Sequence, residues 1–237
     1  KNGYKITVYD RYDRAGGLLI YGIPNFKLEK FVVERRTKLL NDSGIEFIQN
    51  FEVGKDSSLD ELRKKHDAIL IATGVYKARE INLPGNDLGN IFPAMDFLTA
   101  SNRKGLGDEV KLFEDGTLNA QDKNVVVIGG GDTAMDCVRT AVRQNAKSVK
   151  CLYRRDKENM PGSAREVANA EEEGVEFVWL SSPKEFKGKN KIENLLVDQI
   201  ELGEPDESGR RRPEIKQGSE FEVKADMVIK ALGFDPE

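Results

Sequence analysis

The chain has 237 residues, a length that allows one large α/β domain or two smaller domains, each with its own core. Its 37 Lys and Arg residues are balanced by 41 Asp and Glu residues spread along the chain, which argues against a nucleic-acid partner. No apolar run approaches the roughly 18 residues of a membrane span, and the N-terminal residues lack the apolar region of a signal peptide. We therefore expect a cytoplasmic protein that binds neither nucleic acid nor membrane.

Few side chains are available for nucleophilic or metal chemistry. The two cysteines, Cys137 and Cys151, are too few for a disulfide framework or a zinc site, and we expect both to be reduced. The one histidine, His66, stands at the entrance of a predicted strand, where a surface or hydrogen-bonded role is more common than catalysis. Any reaction is therefore expected to depend on a bound cofactor.

Apolar runs of strand length alternate with helical stretches in the first part of the chain, the pattern of a parallel sheet with crossover helices. The predicted elements are a strand at 4–10, a helix at 28–44, a strand at 45–49, a helix at 58–65 and a buried strand at 67–74. From 79 to 122 prolines and glycines divide the chain into loops and short helices, which we interpret as a connection between domains.

The second part of the chain begins with a predicted βαβ unit. The elements that follow from the pattern are a strand at 124–129, a helix at 132–145, a strand at 148–155, a helix that ends at Gly174, a strand at 174–179, two strands around 194–202 and 219–223, and a last strand at 225–233. Ser163 and Glu166 have the spacing of a capping box for the helix that precedes Gly174. Arg210 to Arg212 are expected at the solvated tip of a hairpin, because neighbouring acids leave little local charge.

Three segments of the first part of the chain have a similar counterpart in the second part, in the same order, which indicates two copies of one domain plan. Residues 7–10 resemble 151–155 through Tyr9 and Tyr153; residues 44–48 resemble 174–178, and residues 67–74 resemble 226–233. By this alignment a glycine turn in the first copy would precede residue 1. We therefore expect a fragment whose first dinucleotide-type domain lacks its opening βα unit.

The stretch "VVVIGGGDTAMDC" at 125–137 is typical of a phosphate-binding turn. In a G-x-G-x-x-G/A turn, the first glycine permits the bend, the second lets a pyrophosphate approach the backbone, and the third small residue permits close packing; Gly129, Gly131 and Ala134 hold these places. The pyrophosphate would then meet a helix N-terminus, which favours an anion. Because a strand precedes the turn and a helix follows it, the pattern favours dinucleotide binding over a structural glycine turn.

The residue at the tip of the following strand predicts which dinucleotide is preferred. An acid that binds the adenosine ribose is expected about 20 residues beyond the turn, and Arg154 lies 20 residues beyond Ala134. Guanidinium groups match the oxygens of a 2′-phosphate, so Arg154 and Arg155 favour NADP(H) over NAD(H). The equivalent position of the first copy holds Asp10, which suits the free ribose hydroxyls of FAD, although an Asp there is also a common turn former.

Taken together, these residues resemble the small, NADPH-oxidising subunit of bacterial glutamate synthase over nearly the whole chain. The segments that carry the resemblance are "AGGLLIYGIPNFKL", "ILIATGVYKAR", "VIGGGDTAMDCVRTAVRQ", "LYRRDKENMPGSAREV", "EEEGVEF" and "GEPDESGRRRPEI". The resemblance implies an α/β fold of two Rossmann-like FAD/NAD(P)-binding domains with parallel central sheets, the first one incomplete. It divides the chain into a partial FAD-binding domain at 1–100, a connection at 101–122, an NADPH-binding domain at 123–233 and a return to the first domain at 234–237.

The same resemblance implies the cofactor contacts. The residues expected at NADP(H) are Gly129, Gly130, Gly131, Asp132, Thr133, Ala134, Arg154 and Arg155, and those expected at FAD are Asp10, Gly17, Leu18, Gly22, Ile23, Pro24, Ala72, Thr73 and Gly74. Gly233 is also expected to bind a cofactor. Hydride would pass from NADPH to FAD in the intact protein, and electrons would then cross iron–sulfur clusters to the large subunit for glutamate formation. We expect no firm FAD binding by this chain alone, because it lacks the FAD glycine turn, and the cluster regions are absent from it as well.

Other functions fit parts of the pattern. A related NADPH-dependent oxidoreductase, of the ferredoxin:NADP or dihydropyrimidine dehydrogenase type, shares the glycine turns and strand ends. A disulfide reductase of the thioredoxin reductase type is disfavoured, because it needs a C-x-x-C pair and the two cysteines here lie fourteen residues apart. A nucleotide-binding fragment without turnover of its own also fits this chain.

Overall fold

The computed structural model describes residues 3–205 and 211–236. The chain divides into two compact units, Lys1–Gly74 and Val75–Glu237. The predicted boundary at residue 100 differs from this division, because the strand and helix at 91–105 pack within the second unit.

The first unit has two short parallel strands and three helices. Its elements are β1 (Thr7–Tyr9), α1 (Leu18–Tyr21), α2 (Lys30–Asp42), β2 (Glu46–Ile48) and α3 (Leu59–Lys65). Strand β1 pairs with β2 from Thr7 opposite Glu46 to Tyr9 opposite Ile48. Helix α3 begins at a complete capping box, in which Ser58 and Glu61 bind each other's backbone N–H groups.

The predicted buried strand at 67–74 is wrong. These residues form no regular element, and the side chains of Leu70 and Ile71 are 89% and 70% exposed. A strand buried in a parallel sheet needs hydrogen-bonded neighbours on its edges, and no strand among the residues that the structure describes pairs with this segment. The apolar residues of this segment are therefore able to form a buried strand, but no described residue pairs with them to bury it.

The second unit is larger and contains three sheets. Its elements are β3 (Lys77–Ala78), β4 (Ile91–Pro93), α4 (Ala94–Gly105), α5 (Lys111–Glu114), β5 (Asn124–Ile128), α6 (Asp132–Arg143), β6 (Ser148–Tyr153), α7 (Ala164–Glu172), β7 (Glu176–Trp179), β8 (Ser181–Gly188), β9 (Ile192–Pro205), β10 (Arg211–Ile215), β11 (Phe221–Lys224), β12 (Met227–Lys230) and β13 (Phe234–Asp235). The central sheet has the order β4-β12-β5-β6-β7, and all its neighbours run parallel. This sheet confirms the predicted Rossmann-like α/β class.

The central sheet is covered by helices on one face and by an antiparallel sheet on the other. Along β5, Val125 and Val127 pack with residues of α4, α6 and α7, whereas Val126 and Ile128 pack with residues of β8, β9 and β11. This alternation follows from the two-residue period of a strand. Both faces of β5 are apolar because both are covered, as is usual in a parallel sheet.

The predicted connection at 101–122 contains the end of α4 and all of α5, short helices of the kind expected there, and its Leu118 and Ala120 are buried. Its role as a connection stays a prediction. One other prediction for the second unit requires correction, and one strand was missed. Arg211 and Arg212 belong to strand β10 and not to a hairpin tip, while Arg210 lies outside the described residues. Strand β8, which pairs with β9, was not predicted at all.

A short antiparallel ribbon lies at the two ends of the second unit. Strand β13 pairs with β3, and the guanidinium Nε of Arg79 contacts a carboxylate oxygen of Asp235 at 2.9 Å. The segment predicted to return to the first domain therefore pairs with the residues that follow Gly74. Within the described part of the chain, no helix combines the length and the apolar character that a membrane crossing requires.

Candidate functional site

The glycine turn lies at the carboxyl end of the central sheet. Gly129 follows β5 with φ of 145°, and its N–H donates to the carbonyl oxygen of Leu152 at 3.1 Å. A Cβ atom at Gly129 would stand 2.2 Å from the carbonyl oxygen of Ala231, at the end of β12. Only glycine therefore lets the chain turn between these two neighbouring strands.

The next two glycines have different surroundings. A Cβ at Gly130 would stand 2.4 Å from the ring of Tyr153, so the packing at this position requires glycine. A Cβ at Gly131 would meet nothing within 4 Å, and the backbone there is extended, with φ of −92°. Ala134 is fully buried against the sheet. Gly131 is thus the one residue of the turn whose missing side chain leaves open space.

Helix α6 begins at Gly131 without a side-chain cap. The N–H groups of Ala134 and Met135 donate to the carbonyl oxygen of Gly131. The first N–H groups of a helix have no partner inside the helix, and with the helix dipole they favour an anion. The end of α6 that adjoins the open space at Gly131 is therefore suited to a pyrophosphate.

A loop after β6 contacts this turn at two points. The N–H of Gly162 donates to the carbonyl oxygen of Gly130 at 2.9 Å, and the N–H of Ser163 donates to the Asp132 carboxylate at 2.9 Å. Ser163 begins helix α7, as predicted, but its side chain makes no capping hydrogen bond, so the predicted capping box is wrong. The Glu166 carboxylate, the other half of the predicted box, instead contacts Arg139.

Arg139 holds α7 against α6. It is buried, and its guanidinium donates to the carboxylates of Glu166 and Glu173, each at 2.7 Å. Arg143 also contacts Glu173, at 2.6 Å. Hydrogen bonds from Arg143 and Arg139 lower the pKa of Glu173 to about 2. This cluster fixes the start of α7, and with it the loop that contacts the glycine turn.

The two arginines at the end of β6 have different surroundings. Arg154 is exposed, whereas Arg155 is only 4% exposed, and its Nε donates to the backbone carbonyl of Arg211 at 2.8 Å. The preceding Tyr153 is buried and donates its hydroxyl to the carbonyl of Asn159 at 3.0 Å. The sequence placed both arginines at one phosphate; the structure places Arg154 at the surface and binds Arg155 to strand β10.

In the first unit, the predicted FAD residues from Gly17 to Pro24 lie around α1. Gly17, with φ of 50°, precedes the helix; Gly22 ends it, and Leu18 is exposed. The buried ammonium of Lys30 donates to the carbonyl oxygen of Leu19 at 3.1 Å and also to that of Ile23. Lys30, which sequence reasoning missed, therefore holds this segment on α2.

The other predicted residues of the first site are placed less closely. The Asp10 carboxylate accepts a hydrogen bond from the N–H of Tyr12 at 3.0 Å, the geometry of an Asx turn. Residues 72–74 are exposed and irregular. In the second unit, the carbonyl oxygen of Gly233 accepts the N–H of Arg79 at 3.0 Å. A cofactor role for these positions remains a prediction.

The cysteines and the histidine have structural surroundings. Cys137 and Cys151 are free and fully buried; burial raises the pKa of the Cys151 thiol to about 12 and raises that of Cys137 as well. His66 Nε2 lies 3.0 Å from the hydroxyl of Tyr9. The chain's two thiols are therefore unsuited to thiol–disulfide exchange, and His66 has the hydrogen-bonded role that was predicted.

Residues 3–237 match the family described as pyridine nucleotide-disulphide oxidoreductase. The chain belongs to this family. It is 64% identical to the glutamate synthase [NADPH] small chain of Azospirillum brasilense over 99% of its length, and 48% identical to the small chain of Escherichia coli over 100% of it. The chain spans about half the length of these relatives, 49% and 50%.

Two solved structures of low sequence identity have a similar fold. The chain resembles Mycobacterium tuberculosis FprA in complex with NADPH, with a TM-score of 0.79 and 21% identity, over 96% of this chain and 63% of that one. It also resembles the thioredoxin reductase of T. acidophilum, with a TM-score of 0.67 and 13% identity, over 99% of this chain and 71% of that one. These similarities confirm the predicted fold class.

Proposed function

We propose that the second unit binds NADP(H), with the pyrophosphate at Gly131 and the first turn of α6, and with the adenosine 2′-phosphate at Arg154. The open space at Gly131 and the uncapped helix start support the first contact. The exposed guanidinium at the end of β6 supports the second, because the second strand of a βαβ unit ends beside the adenosine ribose. The single observation that carries the proposal is the combination of this open turn with an arginine at the strand tip.

NADPH, when bound, supplies a hydride to an acceptor. The residues described here would bind and orient it: helix α6 would meet the pyrophosphate, and the 162–163 loop would hold the turn in shape through Gly130 and Asp132. No side-chain acid or base is required for hydride transfer, since the rate depends on the distance and orientation of the two rings.

For the intact protein we propose the small subunit of an NADPH-dependent glutamate synthase. The support is 64% and 60% identity to small chains of Azospirillum brasilense and Cereibacter sphaeroides across 99% of this chain, although the chain covers 49% and 56% of those relatives. A large subunit would be the partner, FAD the hydride acceptor and iron–sulfur clusters the onward carriers. A cytoplasmic location remains a prediction.

The described residues of the first unit fit FAD only in part. Lys30 holds the 17–24 segment in a defined shape, but this unit shows no glycine turn comparable to Gly129–Ala134 among its described residues, and residues 72–74 are not in a strand. We therefore propose FAD binding for the intact protein only.

The test of the proposal is titration with NADP⁺ and NAD⁺ by isothermal calorimetry. Arg154→Ala is expected to weaken NADP⁺ binding by about 10- to 100-fold, the effect of losing a charged hydrogen bond of about 1.5–3 kcal/mol, and to leave NAD⁺ binding nearly unchanged. Lys147→Ala is the matched control, because Lys147 is an exposed cation just before the opposite end of β6. Equal affinity for NADP⁺ and NAD⁺ in the unsubstituted chain would contradict the proposal.

A further inference from the structure

One contact at the end of β6 joins the proposed 2′-phosphate site to a distant part of the sequence. Arg155 Nε donates to the backbone carbonyl of Arg211 at 2.8 Å, across 56 residues of chain. This hydrogen bond brings the β9–β10 hairpin beside the strand tip that carries Arg154. We propose that Arg212, in this hairpin, is a further specificity residue that binds the 2′-phosphate of NADP(H). The inference rests on the proposed NADP(H) site.

The path of β10 places Arg212 near the strand tip. Its Cα follows that of Arg211 by about 3.8 Å, so it begins one residue from the carbonyl that Arg155 binds. The side chain of Arg211 is directed to β9, where its guanidinium donates to the carbonyl oxygens of Gly203, at 3.0 Å, and Leu202. Arg212 is exposed, and among the residues that the structure describes no hydrogen bond or ion pair ties it to the hairpin.

A bulge in β9, opposite Arg212, interrupts the pairing of the hairpin. Arg211 pairs with Pro205 and Pro213 pairs with Leu202, so two residues of β9, Gly203 and Glu204, stand opposite Arg212 alone. A bulge bends the strand that carries the extra residue, and bulges are common beside functional sites. Arg212 therefore lies where the ladder of the hairpin is interrupted.

Two exposed guanidinium groups belong to the elements that meet here. Arg154 and Arg212 are exposed cations on the two elements that Arg155 joins. The acid nearest to Arg154 in the sequence, Asp156, accepts hydrogen bonds from the N–H of Asn159 at 3.0 Å and from its side-chain amide at 2.6 Å, within its own loop. The acid nearest to Arg212 in the sequence, Glu214, lies beside Gly203 of β9. A dianionic phosphate group is the ligand that such guanidinium groups match best.

Arg155 has a positioning role in this arrangement. It is buried, and it spends its Nε hydrogen on a backbone carbonyl of the hairpin. If this contact served only to hold the hairpin, Arg212 would be dispensable for binding. If the hairpin belongs to the site, then removing the Arg212 guanidinium changes recognition of one phosphate group and nothing else.

The experiment compares two probes that differ in that phosphate, 2′,5′-ADP and 5′-AMP. Arg212→Ala is expected to weaken 2′,5′-ADP binding by about tenfold, with 5′-AMP binding unchanged, and Arg212→Lys should recover part of the loss because it keeps the charge without the planar fork. Lys216→Ala is the control, since Lys216 is an exposed cation that follows β10 and pairs with Glu201 at 3.4 Å. Thermal unfolding of each variant confirms that it folds.

The outcomes separate the inference from the proposal on which it rests. If the unsubstituted chain binds both probes equally, the NADP(H) proposal fails, and the role of Arg212 fails with it. If Arg154→Ala removes the preference for 2′,5′-ADP while both Arg212 variants retain affinities within about twofold of the unsubstituted chain, the site stands and the inference about Arg212 is overturned.

Discussion

The same substitution at two glycines of the turn is expected to have different effects, one on stability and the other on dinucleotide affinity. Gly129 and Gly131 are separated by one residue, and both are glycine positions of the G-x-G-x-x-A pattern. Gly129→Ala should lower stability, because the added Cβ would stand 2.2 Å from the carbonyl oxygen of Ala231. Gly131→Ala should instead lower dinucleotide affinity, because its Cβ would enter open space beside the start of α6.

The magnitudes follow from the local geometry. At Gly129, a φ of 145° is strained for alanine by about 1–3 kcal/mol, and displacing the neighbouring strand adds about 1–3 kcal/mol of overpacking, so a loss of roughly 2–5 kcal/mol is expected. At Gly131, alanine accepts the extended backbone, and a less favourable N-cap costs at most about 1 kcal/mol. The methyl group there occupies the phosphate approach, and NADP⁺ affinity should fall by at least about tenfold.

The assay uses the one tryptophan of the chain. Trp179 lies in β7, so its fluorescence during urea unfolding follows the second unit, while calorimetric titration with NADP⁺ measures binding. Two results would refute the reasoning. Gly131→Ala that destabilises the unit as much as Gly129→Ala would show that Gly131 is needed for folding, and Gly131→Ala that binds NADP⁺ normally would show that the pyrophosphate lies elsewhere.

Three further substitutions or measurements test the packing around the sites. The pKa of Glu173 is lowered to about 2, so the stabilisation that its carboxylate provides is present above pH 4.5 and is lost as the pH falls towards 2. Glu173→Gln should lower the free energy of unfolding by about 1–2 kcal/mol at pH 7, a value discounted for the 22% exposure of the side chain. The substitution should also flatten this pH dependence in urea unfolding. Lys30→Met leaves the carbonyl oxygens of Leu19 and Ile23 without their donor, so limited proteolysis with chymotrypsin should cleave more readily within residues 18–24. An unchanged digest would contradict the role of Lys30. Cys137 and Cys151 should react with a thiol reagent only after unfolding, and rapid reaction of the native chain would reopen the disulfide reductase alternative.

Local pattern was sufficient where neighbouring residues in the sequence are also neighbours in the fold. The βαβ unit from Asn124 to Tyr153 was predicted within a few residues, because its strands and helix have clear periods and its turn requires glycine. The capping box was assigned to the wrong helix. Ser163 and Glu166 have the spacing, but Arg139 takes the Glu166 carboxylate, while Ser58 and Glu61 form the box at α3.

Long-range pairing was the part that pattern could not provide. Residues 67–74 have the composition of a buried strand, yet burial depends on partners, and composition does not say whether a partner strand lies alongside. Strand β4 and the buried part of α4 were assigned to a connection for the converse reason, because the prolines and glycines there suggested loops. Strand β4 pairs with β12, which lies more than 100 residues away in the sequence, and α4 packs in the same core.

The amino-acid sequence by itself determined the glycine turn, the helix that follows it and the presence of arginines at the next strand tip, because each depends on the conformational freedom or charge of residues close together in the chain. Only the tertiary structure decided that Gly131 alone among the three turn glycines faces open space, that Arg154 is exposed while Arg155 is buried, and that Arg155 binds the backbone of Arg211 in strand β10. These properties depend on which distant backbone atoms occupy the space beside each residue, and folding alone brings those atoms together.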